Sequence, residues 1–167
     1  MVPYLLLSHD ILTFHGVLME YQGKGIIISA ASGVGKTTHA RLWRDLKHAL
    51  IINGDRATCR KLVDGWKGYG LPWSGTSGEQ INRNVPIQAL VVLERGERNT
   101  AEVVNGLDAF GKALPHVQCP TWDIDMTTQA MDLFEGFLGK IPVIHLQCRP
   151  DAEAVDVLHR VLKENGL

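Results

Sequence analysis

The sequence predicts an α/β fold with mixed β-sheets, a single domain over residues 1–167 built around a phosphate-binding loop. Three observations carry that reading. The apolar run Gly25-Ile26-Ile27-Ile28-Ser29 leads through Ala30-Ala31-Ser32-Gly33-Val34-Gly35-Lys36-Thr37 into a helix-like segment, Thr38 to Leu46. Several other strand-like runs are joined by turns too short for a crossover helix, so antiparallel pairs must accompany parallel ones. Late in the chain, Thr127 to Leu138 and Pro150 to Leu162 repeat apolar residues at helical spacing.

The elements follow in order. Tyr4 to Leu7 and Ile11 to Phe14 read as two short strands around the polar turn Ser8-His9-Asp10. Val17 to Tyr21 continues as a strand, and Gln22-Gly23-Lys24-Gly25 turns it into Ile26 to Ser29. Leu50-Ile51-Ile52 is a buried strand that ends at Asn53-Gly54-Asp55. Thr58 to Lys61 and Trp66 to Leu71 flank Val63-Asp64-Gly65 as a β-hairpin. Pro72 to Val85 is rich in Gly, Ser and Asn without a helical period. It reads as a long loop, and long loops in compact domains are often functional. Ile87 to Leu93 is a buried strand, Thr100 to Asn105 a shorter one, Asp108 to Leu114 a short helix, and Ile141 to Gln147 a further strand. The Thr127 to Leu138 helix carries Ala130, Met131, Phe134, Phe137 and Leu138 on one face. The closing helix has Asp151 and Glu153 in its first turn, where negative charge meets the positive end of the helix dipole.

Composition narrows the possible functions. The chain is 45% hydrophobic and 21% charged, ordinary for a globular protein large enough for a real core. A net charge of −1 gives no general attraction to nucleic acid or an anionic membrane. No apolar run approaches the roughly 20 residues of a membrane span, and Leu5-Leu6-Leu7 is too short for a signal-peptide core. Cys59, Cys119 and Cys148 are odd in number and widely spaced, which suits neither a disulfide framework nor a zinc site. They read as reduced structural thiols of a cytoplasmic protein.

The loop carries the chemistry. Its small residues let backbone N–H groups wrap a phosphate, and the helix that follows adds its positive end. Ser32, Gly33, Val34, Gly35, Lys36, Thr37 and Thr38 are the expected nucleotide-binding set. Lys36 reaches the β- and γ-phosphates, and the Thr37 hydroxyl holds Mg²⁺. Ala30 stands where glycine is usual, which is tolerable if its φ is negative. Such a site also needs a carboxylate for the metal. Asp55 is the first candidate, provided its strand neighbours Ile26 to Ser29; the alternative is a turn aspartate in Asn53-Gly54-Asp55-Arg56. Glu94, after Ala89 to Leu93, is a second candidate expected far along the sheet, or a surface residue beside Arg95.

These segments together resemble a family. Phe14-His15-Gly16-Val17-Leu18-Met19-Glu20, the loop, and Ile52-Asn53-Gly54-Asp55 resemble the C-terminal kinase domain of HPr kinase/phosphorylase, which shares its nucleotide-binding core with the phosphoenolpyruvate carboxykinases. Gly68-Tyr69-Gly70-Leu71-Pro72-Trp73-Ser74-Gly75, Asn84-Val85-Pro86-Ile87 and Leu93-Glu94-Arg95-Gly96 resemble more narrowly the kinases of peptide-modification cassettes, including lasso-peptide precursor kinases. The resemblance implies that Asp55 is general base and metal partner, and that His15 lies near the phosphates and the base. It also implies a homo-oligomer. HPr kinases carry two adjacent aspartates where this chain has Gly54-Asp55, which puts the reverse, phosphorolytic reaction in doubt. Their following glutamate-arginine element is replaced by Leu71-Pro72-Trp73-Ser74. Arg83 is the candidate cation for the transition state, or else it only solvates the loop. Glu79 is a candidate second metal ligand, and Trp73 is read as a core plug rather than a substrate platform. Relatives commonly carry a further N-terminal region, so a substrate-docking part is absent here or supplied by a partner.

The expected activity is ATP- and Mg²⁺-dependent phosphorylation of a hydroxyl, a serine on a small protein or ribosomal precursor peptide. Two alternatives stand beside it: a small-molecule kinase on the same core, and a nucleotide-binding regulatory module without turnover.

Overall fold

One long strand, β1 (Ile11–Tyr21), serves two sets of neighbours in the computed structural model, which describes residues 2–167. Its first half, Ile11 to His15, pairs antiparallel with β4 (Arg56–Leu62). Its second half lies between β2 (Lys24–Ser29) and β3 (Leu50–Asn53), antiparallel to both. The change of partners falls at Gly16. A Cβ there would sit 2.7 Å from the Ile28 carbonyl oxygen, so only glycine permits the close approach.

A second strand, β6 (Asn84–Arg95), does the same in mirror order. Asn84 to Pro86 pairs antiparallel with β5 (Gly65–Tyr69), the partner of β4 in the expected hairpin. Ile87 onward runs parallel between β2 and β8 (Val143–Cys148). The edge strand β7 (Thr100–Val104) completes the sheet antiparallel to β8. The order β2-β1-β4-β5-β6 therefore closes on itself through the β2–β6 pair, giving the mixed sheet that the hairpins predict.

Central strands buried on both faces need apolar residues at odd and even positions alike. In β1, Leu12, Phe14 and Leu18 face one core with Phe134 and Phe137 of α4 (Ile124–Leu138) and Ala109 of α3 (Gly106–Ala113). Val17 and Met19 face the other core, with Trp43 of α2 (Lys36–Lys47) and Val155 and Leu158 of α5 (Ala152–Glu164). Helices thus cover both faces of the central strands. Among the described residues no helix is long and apolar enough to cross a membrane. The three cysteines are free, with Cys59 and Cys148 buried.

The N-terminus departs from expectation. Tyr4 to Leu7 is not a strand: α1 (Val2–Leu5) passes into a 3-10 turn, Leu6–His9, which ends at Asp10 with φ 58°. A leucine run has no period, so packing decides its form. The free edge of β1 that another strand would need is taken by residues 117–118. Val117 bridges Phe14, and Gln118 N donates to the Thr13 carbonyl at 2.9 Å.

His39, buried on α2, accepts a hydrogen bond from Trp43 Nε1 at 3.1 Å through Nε2. Burial pushes its pKa down to about 4. A histidine whose folded pKa lies below its unfolded value stays neutral in the fold, and the unfolded chain takes up the proton first. Stability should therefore be full above pH 6.5 and fall toward pH 4, by about 3 kcal/mol. Denaturant titrations between pH 7.5 and 5 should show this slope in the native chain and lose most of it in His39→Gln.

Candidate active site

The loop 30–35 follows β2 and opens directly into α2, which begins at Lys36, earlier than the sequence pattern placed it. Ala30 is fully buried and its φ is not positive, so its methyl group packs in the core without strain. Gly33 and Gly35 lie at φ 77° and 116°, which side-chain-bearing residues rarely adopt. Gly35 caps α2 with no side-chain hydrogen bond, so the first N–H groups of the helix stay available beside Thr37 and Thr38. That arrangement fits a phosphate group.

Asp55 reaches this end of the sheet by a different route from the one expected. Its strand β3 pairs with β1, not β2. Gly16 N donates to the Asp55 carbonyl at 3.0 Å, which fixes the turn after β3 against the middle of β1. The turn is organised by Asn53, which is fully buried. Its Oδ1 accepts from the N–H groups of Asp55 (3.0 Å) and Arg56 (2.8 Å). Its Nδ2 donates to the Trp73 carbonyl at 2.9 Å and the Leu71 carbonyl at 3.4 Å. Asn53→Ala leaves these groups without partners, and a buried unpaired group costs about 1–3 kcal/mol. Urea denaturation should show a loss of about 2–4 kcal/mol.

His15, at the end of the first half of β1, places Nδ1 3.6 Å from Asp55 Oδ1, close but beyond a hydrogen bond. Its side chain is 40% exposed. Burial and the Lys36 ammonium lower its pKa, with Asp55 pulling the other way and Arg56 adding to the lowering. His15 is thus within electrostatic reach of both the loop lysine and the carboxylate, with its neutral form favoured.

Three residues belong here that the sequence reading did not assign. Arg56 holds Nε 3.7 Å from Asp55 Oδ2 and donates through Nη1 to Gln118 at 3.2 Å. His116 has its pKa lowered by burial, then by His15 and Lys36, with Glu94 opposing. It stands in a 3-10 turn, Leu114–His116, distant in sequence, and no local signal marks it. Arg95 donates through Nη2 to the Gly33 carbonyl at 2.6 Å and through Nε to the Val34 carbonyl at 3.4 Å, bracing the loop from the end of β6. Its neighbour Glu94 lies 3.0 Å from His145 Nε2. Because β6 adjoins β2 directly, Glu94 ends beside the loop rather than far along the sheet.

Other candidates sit elsewhere. Arg83 is bound bidentately by Glu20 near the far end of β1, away from the loop, so the structure does not bring it to the site. Glu79 directs its carboxylate to Arg41 (3.3 Å) and Arg44 (3.2 Å) of α2, tying the long loop to that helix. Trp73 is not a core plug: its side chain is 38% exposed. The long loop itself is strapped along the end of β3, with Ile81 N donating to the Ile52 carbonyl and Gly54 N to the Glu79 carbonyl. This explains Gly54. A Cβ there would overlap Ser77 Oγ and Cβ, so the loop occupies the space a second aspartate would need. Gly75 packs against the Asp55 carboxylate in the same way.

No family model matches the chain, and no curated protein sequence is similar to it. Among solved structures, the HPr(Ser) kinase/phosphatase from Coxiella burnetii has a TM-score of 0.55 over 92% of this chain and 90% of that one, at 9% identity. The chain therefore has an HPr kinase-like α/β fold.

Proposed function

We propose that the protein is an ATP-dependent kinase that transfers the γ-phosphoryl group to a hydroxyl, a serine of a small protein or ribosomal precursor peptide. The observation that carries the reading is the convergence of Lys36, His15 and Asp55 at the loop end of the sheet, on a fold shared with a protein kinase/phosphatase. Mg²⁺ needs only one or two protein oxygens besides phosphate oxygens and water, and the Thr37 hydroxyl and the Asp55 carboxylate fit that demand. When bound, Mg²⁺-ATP supplies the phosphoryl group, and the metal neutralises its charge.

The chain's own residues do the rest. Loop N–H groups and Lys36 hold the phosphates. A serine hydroxyl is a poor nucleophile until its proton is accepted, and Asp55 takes that proton. Arg56 flanks the carboxylate at Oδ2 and His15 at Oδ1. Arg95 braces the loop through the Gly33 and Val34 carbonyls. The exposed indole of Trp73, on the loop that packs on Asp55, is the surface available to an acceptor.

Binding without turnover is favoured by one observation, the loop filling the place of the second family aspartate at Gly54. Incubation with γ-labelled ATP, Mg²⁺, serine-bearing peptides and a panel of hydroxyl-bearing metabolites separates the readings. Label on peptide is the expected result. Label on a metabolite instead means a small-molecule kinase, and tight nucleotide binding with no label on any acceptor means a regulatory module.

A further inference from the structure

A cavity of about 310 Å³ opens at the other end of the sheet from the loop. It lies among the β1–β2 turn, Gln88 of β6 and the last turns of α5. Ile26, one of its walls, precedes Ala30 by about 13 Å of extended strand, so this space is separate from the phosphate loop. The floor is apolar, with Ile26 and Leu162 buried. The rim carries Lys24 and Lys163, and neither ammonium pairs with a carboxylate among the described residues. The nearby Lys47 is already neutralised by Asp156 at 2.9 Å. Of the other polar groups of the wall, Tyr21 Oη meets His159 Nε2 at 3.2 Å and accepts from Gln22 Nε2 at 3.1 Å, while Gln88 Oε1 is buried without a hydrogen-bond partner.

We propose that this cavity binds a small organic anion with an apolar body, its charged group between Lys24 and Lys163 and its body on Ile26 and Leu162. Two uncompensated cations above an apolar floor suit that combination and favour it over a neutral or cationic ligand with the same body. The lining holds these two lysines and no Asp or Glu side chain. Burial first, then Lys47 and Lys163, lower the pKa of His159 in the cavity wall, with Asp156 opposing.

The probes are hexanoate, hexyl phosphate and, as the neutral control, hexanamide. Each is titrated into the full chain with amide chemical shifts as the readout. One of the anions, or both, should bind with shifts centred on Tyr21, Lys24 and Gln88, at least ten-fold more tightly than hexanamide; which anion wins distinguishes carboxylate from phosphate ligands. Lys24→Met/Lys163→Met, with an unchanged melting temperature, should lose that preference. Three results overturn the proposal: hexanamide binding as tightly as the anions, no anion binding up to about 10 mM, or shifts confined to Gly33 through Thr37. Should the double variant fail to fold, the comparison of anion with amide on the native chain still decides.

Discussion

Asp55→Asn should bind ATP within about three-fold of the native affinity and transfer the phosphoryl group roughly 10²–10⁴-fold more slowly, the range for removal of a general base. The substitution isolates the charge. Asn53 holds the turn through the backbone N–H groups of Asp55 and Arg56, not through the Asp55 side chain, so the turn survives. A carboxamide has the shape of a carboxylate, so the contact with Gly75 survives too. What disappears is the acceptor of the hydroxyl proton and the attraction to Arg56. Equilibrium binding of a fluorescent ATP analogue and single-turnover label transfer, to peptide or to water, check the two halves separately. Full activity in the variant would remove Asp55 as base. A fall in nucleotide affinity together with rate would make its main task the holding of the metal.

Much of this site was legible from sequence because its parts are local. The loop is a contiguous string whose spacing encodes strand, turn and helix, and the structure keeps it between β2 and α2. Asp55 was legible as a strand-end acid, yet its route to the site was not, because strand order across a sheet leaves no mark in local pattern. That same gap misplaced Glu94 and concealed Arg95, since nothing in Leu93-Glu94-Arg95 says that β6 lies against β2. Arg83 and Trp73 failed for a related reason. Residue type marks what a side chain can do, but partners elsewhere in the fold decide where it is: Glu20 holds Arg83, and Asn53 pins Trp73 by its carbonyl while leaving the indole outside. The N-terminal leucines were ambiguous because an unbroken apolar run fits helix and strand alike.

Lys36→Ala should weaken ATP binding by at least about ten-fold and slow transfer by roughly 10²–10³-fold. The ammonium makes no ion pair among the described residues, so nothing in the fold consumes its charge, and the melting temperature should stay within about 2 °C of native. Lys36→Arg should not restore activity, because a planar fork cannot replace a compact point charge in a loop shaped by Gly33 and Gly35. The lysine also leaves a signature that needs no substrate. It is one of the groups that lower the His15 pKa, second to burial. In Lys36→Ala that contribution vanishes while Asp55 remains, so the His15 imidazole should titrate at a higher pH than in the native chain, as followed by its ring-proton resonances. An unchanged His15 titration would mean that the two side chains are too far apart in solution to share a phosphate, and the proposed site would fail on geometry before any assay of transfer.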